Sequence, residues 1–167
     1  FQSYRWKPGV EEIVEKETFE RHQILGTALD KWLAKPRNAE VGVCSRVTSG
    51  AHHFHLPMVD FSAPVKRANR KRLNQPLPGE LVGGYFFETQ RSFHAYGHSL
   101  IQPYLFSNFM GRVLLMNQPV GGTELIRCMV DPMWVGWQLK RDFAVLRVTA
   151  NTKRWNVLPQ PIANPLA

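Results

Sequence analysis

Cysteine is scarce in this 167-residue chain, with Cys44 and Cys128 the only two. Each lies inside an apolar strand-like run, without the close spacing of a metal knuckle or a redox pair, so both read as buried thiols packing as small hydrophobes. Long hydrophobic runs are missing as well: none approaches the roughly 18 to 20 residues that span a bilayer. No basic segment followed by an apolar one opens the chain, as a secretory signal would. These absences describe a soluble, cytoplasmic protein with no membrane partner. The chain begins at Phe1 and not at Met, which leaves a larger parent chain or a protein partner open. Aspartate is also rare, with four residues in all, so the position of each carries weight.

What is present suffices for a core. At 19.2 kDa and 44% apolar content the chain reads as one domain. The formal charge of +8 is unevenly placed. Residues 1–40 hold seven basic and seven acidic groups, so the whole excess lies between 41 and 167. With a pI near 9.9, that is the electrostatic footprint of a polyanion binder, most often of DNA or RNA. Residues 66–72 concentrate it: Lys66, Arg67, Arg70, Lys71 and Arg72 occupy five of seven positions. Lys153 and Arg154 form a smaller group beside Trp155.

Residues 1–9 read as an arm or first short strand. From Val10 to Lys35 apolar residues recur at three- and four-residue intervals, which predicts helix, with Thr18 as a cap and Pro36 as a stop. Val41–Val47 and His53–Asp60 read as strands joined in a hairpin. Leu81–Phe87 is followed by a polar turn and a second strand carrying Ser92 and His94 on one side. A helix interrupted at Gly111 is expected over 99–116, then a turn at 119–122, a strand at 125–130, a short helix at 134–140 and a last strand at 143–149. The tail from Leu158, with Pro159, Pro161 and Pro165, is expected to hold no regular structure. The organisation is a helical and arm segment over 1–40, a core over 41–157 and a Pro-rich tail over 158–167. The fold class is α/β in the α+β sense, a mostly antiparallel central sheet with packed helices.

Two of the four aspartates close apolar strands in the same manner, Asp60 in PMVD and Asp131 in CMVD. A carboxylate at the end of a buried strand is a poor core residue and a natural ligand for a divalent cation at a sheet edge, although Asp131-Pro132 is also a good turn dipeptide. His94 lies 34 residues after Asp60 and 37 before Asp131, with Ser92 beside it. A histidine and a hydroxyl next to two carboxylates suit phosphate binding in phosphoryl or nucleotidyl transfer.

The order of strand-Asp, Ser-x-His and strand-Asp resembles the three motifs of the archaeo-eukaryotic primase and primase-polymerase superfamily, in particular its small single-domain bacterial members. TQRSFHAYG is similar to the second motif and CMVDPMW to the third, and the likeness covers about residues 41–155. The resemblance implies an RRM-like catalytic core and a role in DNA replication or repair. It implies Mg²⁺ or Mn²⁺ on Asp60 and Asp131, and an incoming nucleoside triphosphate on Arg91, Ser92 and His94, with Lys140 and Arg147 as further nucleotide or template contacts. The family's first motif has two acids separated by one residue, whereas this chain reads Asp60-Phe61-Ser62. Glu88 and His55 are the substitutes the sequence offers if the fold brings them near.

Two other readings compete. In the first, a primase-like domain without catalysis binds nucleic acid or a partner protein, with Trp134, Trp137 and Trp155 stacking bases beside Lys140, Arg141, Lys153 and Arg154. In the second, His53-Phe54-His55 resembles the His-hydrophobic-His metal site of rolling-circle nicking enzymes. Such enzymes often have a Tyr followed four residues later by Lys, and none of Tyr4, Tyr85, Tyr96 and Tyr104 is so placed.

Overall fold

A computed structural model describes residues 1–7, 10–24, 27–35, 38–62, 77–117, 129–150 and 157–162. The chain folds as mixed helices and antiparallel sheets, with ten strands in the described residues.

The first sheet has the order β2-β1-β3-β9 and brings the N-terminal strands beside one from residues 145–147. Strand β1 (Gln2–Lys7) pairs with β2 (Val10–Lys16) on one side and with β3 (Glu40–Cys44) on the other, and β3 in turn pairs with β9 (Val145–Arg147). Strand β2 overturns the helix expected from Val10 onward. Val10, Ile13 and Val14 are β-branched, and pairing with the adjacent β1 outweighs the helical spacing of a charged, weakly amphipathic run. Among the described residues of this segment, helix is confined to α1 (Arg21–Ile24) and α2 (Thr27–Leu33). The α1 start is held by the Glu20 amide donating to Gln23 Oε1 at 2.8 Å, not by Thr18. Phe1, Phe19 and Trp32 meet edge to face at 5.6 to 6.3 Å and close a small apolar cluster beneath this segment.

The expected strand 41–47 is broken at Ser45, which is fully buried. Its hydroxyl accepts from the Ala144 amide at 2.8 Å, and its backbone bonds Ala144 and Leu56. Beyond it, β4 (Arg46–Ser49) and β5 (His52–His55) form a separate two-stranded hairpin. Pro57 then divides the expected strand 53–60, so β6 (Met58–Phe61) begins anew in another sheet.

That second sheet has the order β10-β7-β8-β6. Strands β7 (Tyr85–Glu88) and β8 (Phe93–Tyr96) form the expected hairpin, and β6 lies on the other side of β8. The tail also departs from expectation, because β10 (Gln160–Ile162) pairs with β7. Pro161 fits there as an edge-strand residue whose missing N–H faces away from the ladder.

One face of this sheet carries Val59, Phe61, Phe86, Phe93 and Ala95 into the core. Helix α3 (Phe106–Leu115) covers it with Phe106, Phe109, Met110 and Val113, and α4 (Pro132–Arg141) adds Trp134 and Val135. Helix α3 runs through Gly111 without a break, since that glycine faces solvent while both flanks bury apolar side chains. Gly97, just past β8, has no room for a side chain: an added Cβ would run into the Glu80 carbonyl oxygen and lie 2.9 Å from Pro57 Cβ. The expected turn at 119–122 and most of the strand at 125–130 fall outside the described residues. Val130 does form a bridge to Phe61 at the outer side of β6.

Candidate functional site

The other face of the second sheet is built by register. Asp60 on β6 stands opposite His94 on β8, and His94 stands opposite Phe87 on β7. Directly opposed residues in an antiparallel pair share a face, so Asp60, His94 and Phe87 form one row across three strands. Tyr85 and Tyr96 are opposed on the same face, two positions along from Phe87 and His94.

Asp131 reaches Asp60 from the outer side of β6. The Phe61–Val130 bridge, the Ser62 amide donating to the Met129 carbonyl at 2.9 Å and the Asp131 amide 3.5 Å from the Asp60 carbonyl bring the two segments together. Asp131 is the N-cap of α4. Its Oδ1 accepts from the Met133 amide at 2.9 Å, and Pro132 takes the first helical position, where its missing N–H costs nothing. The dipeptide expected to make a turn thus opens a helix two residues earlier than the spacing predicts, and the cap orients one oxygen of the carboxylate while the helix N-terminus points toward negative charge.

The electrostatics are those of a crowded site. Burial and the neighbouring Asp131 carboxylate push Asp60 up to about 7, against the pull of Arg147. Its side chain nonetheless keeps 30% of its surface open, so an ion can reach it. Burial, with the Arg147 charge, brings His94 down to about 3, opposed by a hydrogen bond with the Arg147 backbone. His94 is therefore neutral at pH 7. Its Nε2 lies 3.6 Å from Asp60 Oδ1, too far for a hydrogen bond and without the charge for an ion pair. Its Nδ1 is buried with no hydrogen-bond partner among the described residues. Burial, then the charge of Asp60, raises the Tyr96 phenol well above its ordinary range.

Arg147, at the end of β9, sits at the centre of these groups, where the first sheet's β9 packs against β6. It is 6% exposed, and its guanidinium donates to the carbonyls of Thr149 and, at 3.1 Å, Val157. Burial lowers its pKa, while Glu40, Tyr4, Asp60 and Tyr96 support the cation. Glu40 is buried in turn and accepts from Thr149 Oγ1 at 3.0 Å, and that hydroxyl accepts from the Val41 amide at 2.8 Å. Arg147 is thus an internal counter-charge between the two sheets. Glu40, Thr149 and Tyr96 carried no sequence signal beyond a polar group inside an apolar strand.

The other candidates are distributed as follows. Ser92 closes the β7–β8 turn, its amide donating to Thr89 Oγ1 at 3.0 Å and its hydroxyl 3.3 Å from the same atom, and Arg91 is exposed beside it. Lys140 lies in the last turn of α4, 4.9 Å from the Trp137 ring centroid. It stands nine positions along the helix from Asp131, a rise of about 13 Å, so the fold does not bring the two together. Trp134 is core, its indole N–H donating to the Val145 carbonyl at 3.2 Å. Lys66, Arg67, Arg70, Lys71, Arg72, Lys153, Arg154 and Trp155 lie outside the described residues.

Neither substitute for the missing acid of the first motif is available. Glu88 is paired with Phe93 and so faces away from Asp60. His55 is buried, with Nδ1 3.1 Å from Ser45 Oγ and its ring stacked on Phe106 at 4.3 Å, while His53 is exposed beside Thr48. That commitment of His55 also removes the basis of the nicking reading. Among the described residues, no three His, Cys, Asp or Glu side chains are placed to hold a metal ion on their own. Two adjacent carboxylates, one of them solvent-accessible and destabilised by the other, do fit a single Mg²⁺ or Mn²⁺ that takes its remaining ligands from substrate phosphates and water. They do not supply the negative charge for two cations.

Among the described residues no helix is long and apolar enough to cross a membrane. Neither the curated proteins nor the solved structures include a match. A family model described as archaeo-eukaryotic primase 1D-like (AEP-like) matches residues 21–160.

Proposed function

The chain belongs to the archaeo-eukaryotic primase-like family, and from that premise we propose that it binds nucleic acid and a nucleoside triphosphate and transfers a nucleotidyl group at Asp60, His94 and Asp131. The observation that carries this reading is the convergence of those residues: Asp60 is flanked by His94 across the β8 ladder and by Asp131 across the bridge to residue 130.

In the transfer, a 3′-hydroxyl, or the hydroxyl of an initiating nucleotide, attacks the α-phosphorus of the triphosphate. A new P–O bond forms as the hydroxyl gives up its proton to water, the α–β anhydride breaks and pyrophosphate leaves. A divalent cation bound at the two carboxylates supplies charge neutralisation to the phosphates. The protein's part is to position and to exclude water. Neutral His94 offers a ring that donates or accepts a hydrogen bond without adding charge. The α4 N-terminus favours phosphate oxygens beside Asp131, and Arg91 lies at the mouth of the hairpin. The ladder keeps Asp60 against His94, and buried Arg147, on the neighbouring sheet, lends both a positive field.

The test is incorporation of a labelled nucleotide in the presence of Mn²⁺ or Mg²⁺. Incorporation that disappears in Asp60→Ala is expected; incorporation indifferent to that change would remove the site assignment.

A second reading is supported by Ser62, which stands exposed where the family's motif has an acid. On that reading the domain binds nucleic acid without catalysis. Salt-sensitive association with no product under any metal would establish it, and weaker binding after neutralising Lys66, Arg67, Arg70, Lys71 and Arg72 would assign the contact to that run.

A further inference from the structure

The row that contains Asp60 and His94 continues into aromatic residues that the proposed chemistry does not use. Phe87 is the cross-strand neighbour of His94, and Tyr85 that of Tyr96. Two interstrand spacings, about 10 Å, separate the Phe87 and Asp60 backbones. Phe87 is only partly buried, and its ring meets Tyr96 edge to face at 5.5 Å and 89°. Tyr85 is 68% exposed. Pro161 of β10, opposed to Phe87, adds a flat apolar neighbour on the same face.

A single exposed aromatic on a protein surface needs no explanation. This group differs in three respects. It is held on strands and not on a loop, it lies on the site face and not on the core face, and Tyr96 buttresses it from the side. The core face of the same strands buries Phe86 and Phe93 almost completely, so the exposure of Tyr85 and Phe87 is not a shortage of covering elements.

We infer that Tyr85 and Phe87, supported by Tyr96, form a stacking subsite for one unpaired nucleobase whose phosphate lies toward Asp60 and His94. This assignment rests on the nucleotide-binding reading above and deepens it. Aromatic stacking is tolerant of base identity, because every base has a π-face, so the subsite takes an unpaired base without reading its sequence. The base can belong to a single strand or to the free triphosphate, and the two sources are separable by experiment.

The experiment measures association of the full chain with a fluorescent single-stranded oligonucleotide and with a free nucleoside triphosphate, in wild type, Tyr85→Ala, Phe87→Ala and Tyr85→Trp. Tyr85→Ala should weaken oligonucleotide binding about 5- to 100-fold, Phe87→Ala should weaken it in the same direction, and Tyr85→Trp should restore it. The salt slope should stay unchanged, because no phosphate contact is lost. An oligonucleotide with a single abasic position should bind wild type more weakly and lose its sensitivity to Tyr85→Ala when that position occupies the subsite. Loss confined to the oligonucleotide assigns the base to a strand, and loss confined to the triphosphate assigns it to the incoming nucleotide. Unaltered binding of both ligands by Tyr85→Ala, with wild type binding normally, overturns the subsite and leaves the proposed function standing. Failure of wild type to bind either ligand overturns both.

Discussion

Asp60 and His94 face one another across the β6–β8 ladder with 3.6 Å between Oδ1 and Nε2, and their proton affinities are shifted in opposite directions. The acid is pushed up toward neutrality by burial and Asp131, and the base is held down at about 3 by burial and Arg147. Both shifts disfavour the charged form, as expected where two sheets close over a polar site.

For Asp60 the consequence is a stability cost at alkaline pH. Its carboxyl binds a proton more tightly folded than unfolded, so its favourable contribution is complete below pH 3.8 and is lost as pH rises to about 7. Asp60→Asn should therefore stabilise the protein at pH 8 by about 1 to 2 kcal/mol while making little difference at pH 4. Thermal melts of both proteins at the two pH values check this.

His94 acts at the other end of the scale. It titrates near 6.5 when unfolded and near 3 when folded, so the unfolded chain binds the extra proton between those values and stability falls as pH drops through that window. His94→Gln should flatten the acid limb of the stability profile and weaken triphosphate binding at neutral pH. Urea unfolding between pH 4 and 7 reads the first effect and equilibrium binding the second.

Arg147 is expected to be structural as well as electrostatic. Arg147→Met leaves the buried Glu40 without its supporting cation and should cost about 3 to 5 kcal/mol. Adding Glu40→Gln should recover part of that loss, because the two sites are coupled. Chemical denaturation of the two single variants and the double variant measures the coupling.

Gly97→Ala tests the close approach behind β8. The new methyl must displace the Glu80 carbonyl, which is backbone and cannot rotate away, so a loss of about 2 to 4 kcal/mol is expected. Gly111→Ala, where nothing lies within 4 Å, should instead be neutral or stabilising. Melting temperatures of the pair distinguish local crowding from a general intolerance of change.

The β7–β8 hairpin was legible in the sequence because its turn residues interrupt an aromatic run, and so was a short helix over 134–140, although Asp131-Pro132 reads as a turn dipeptide and the helix starts at Pro132. The order Asp60, His94, Asp131 marked residues that the ladder then places side by side. Strand β2 was not legible: VEEIVEK satisfies a helical spacing and a strand equally, and only the presence of β1 decides between them. Strand β10 was hidden by its prolines, which exclude a central strand but not an edge. The identity of the buried counter-charge was hidden for a different reason. Nothing in VLRV distinguishes an arginine that reaches solvent from one that is enclosed by Glu40, Tyr4 and Tyr96.

The hydrogen bonds from the Val41 amide to Thr149 and from Thr149 to Glu40 span 108 and 109 residues of chain. Closing a loop of that length precedes any gain from the contacts it permits, which slows folding relative to a domain of local pairings. During synthesis β1, β3 and the Asp60 strand emerge well before β9. Until β9 docks, Asp60 and His94 have neither the Arg147 cation nor their second wall, so the pocket is complete only once residues from late in the chain are in place.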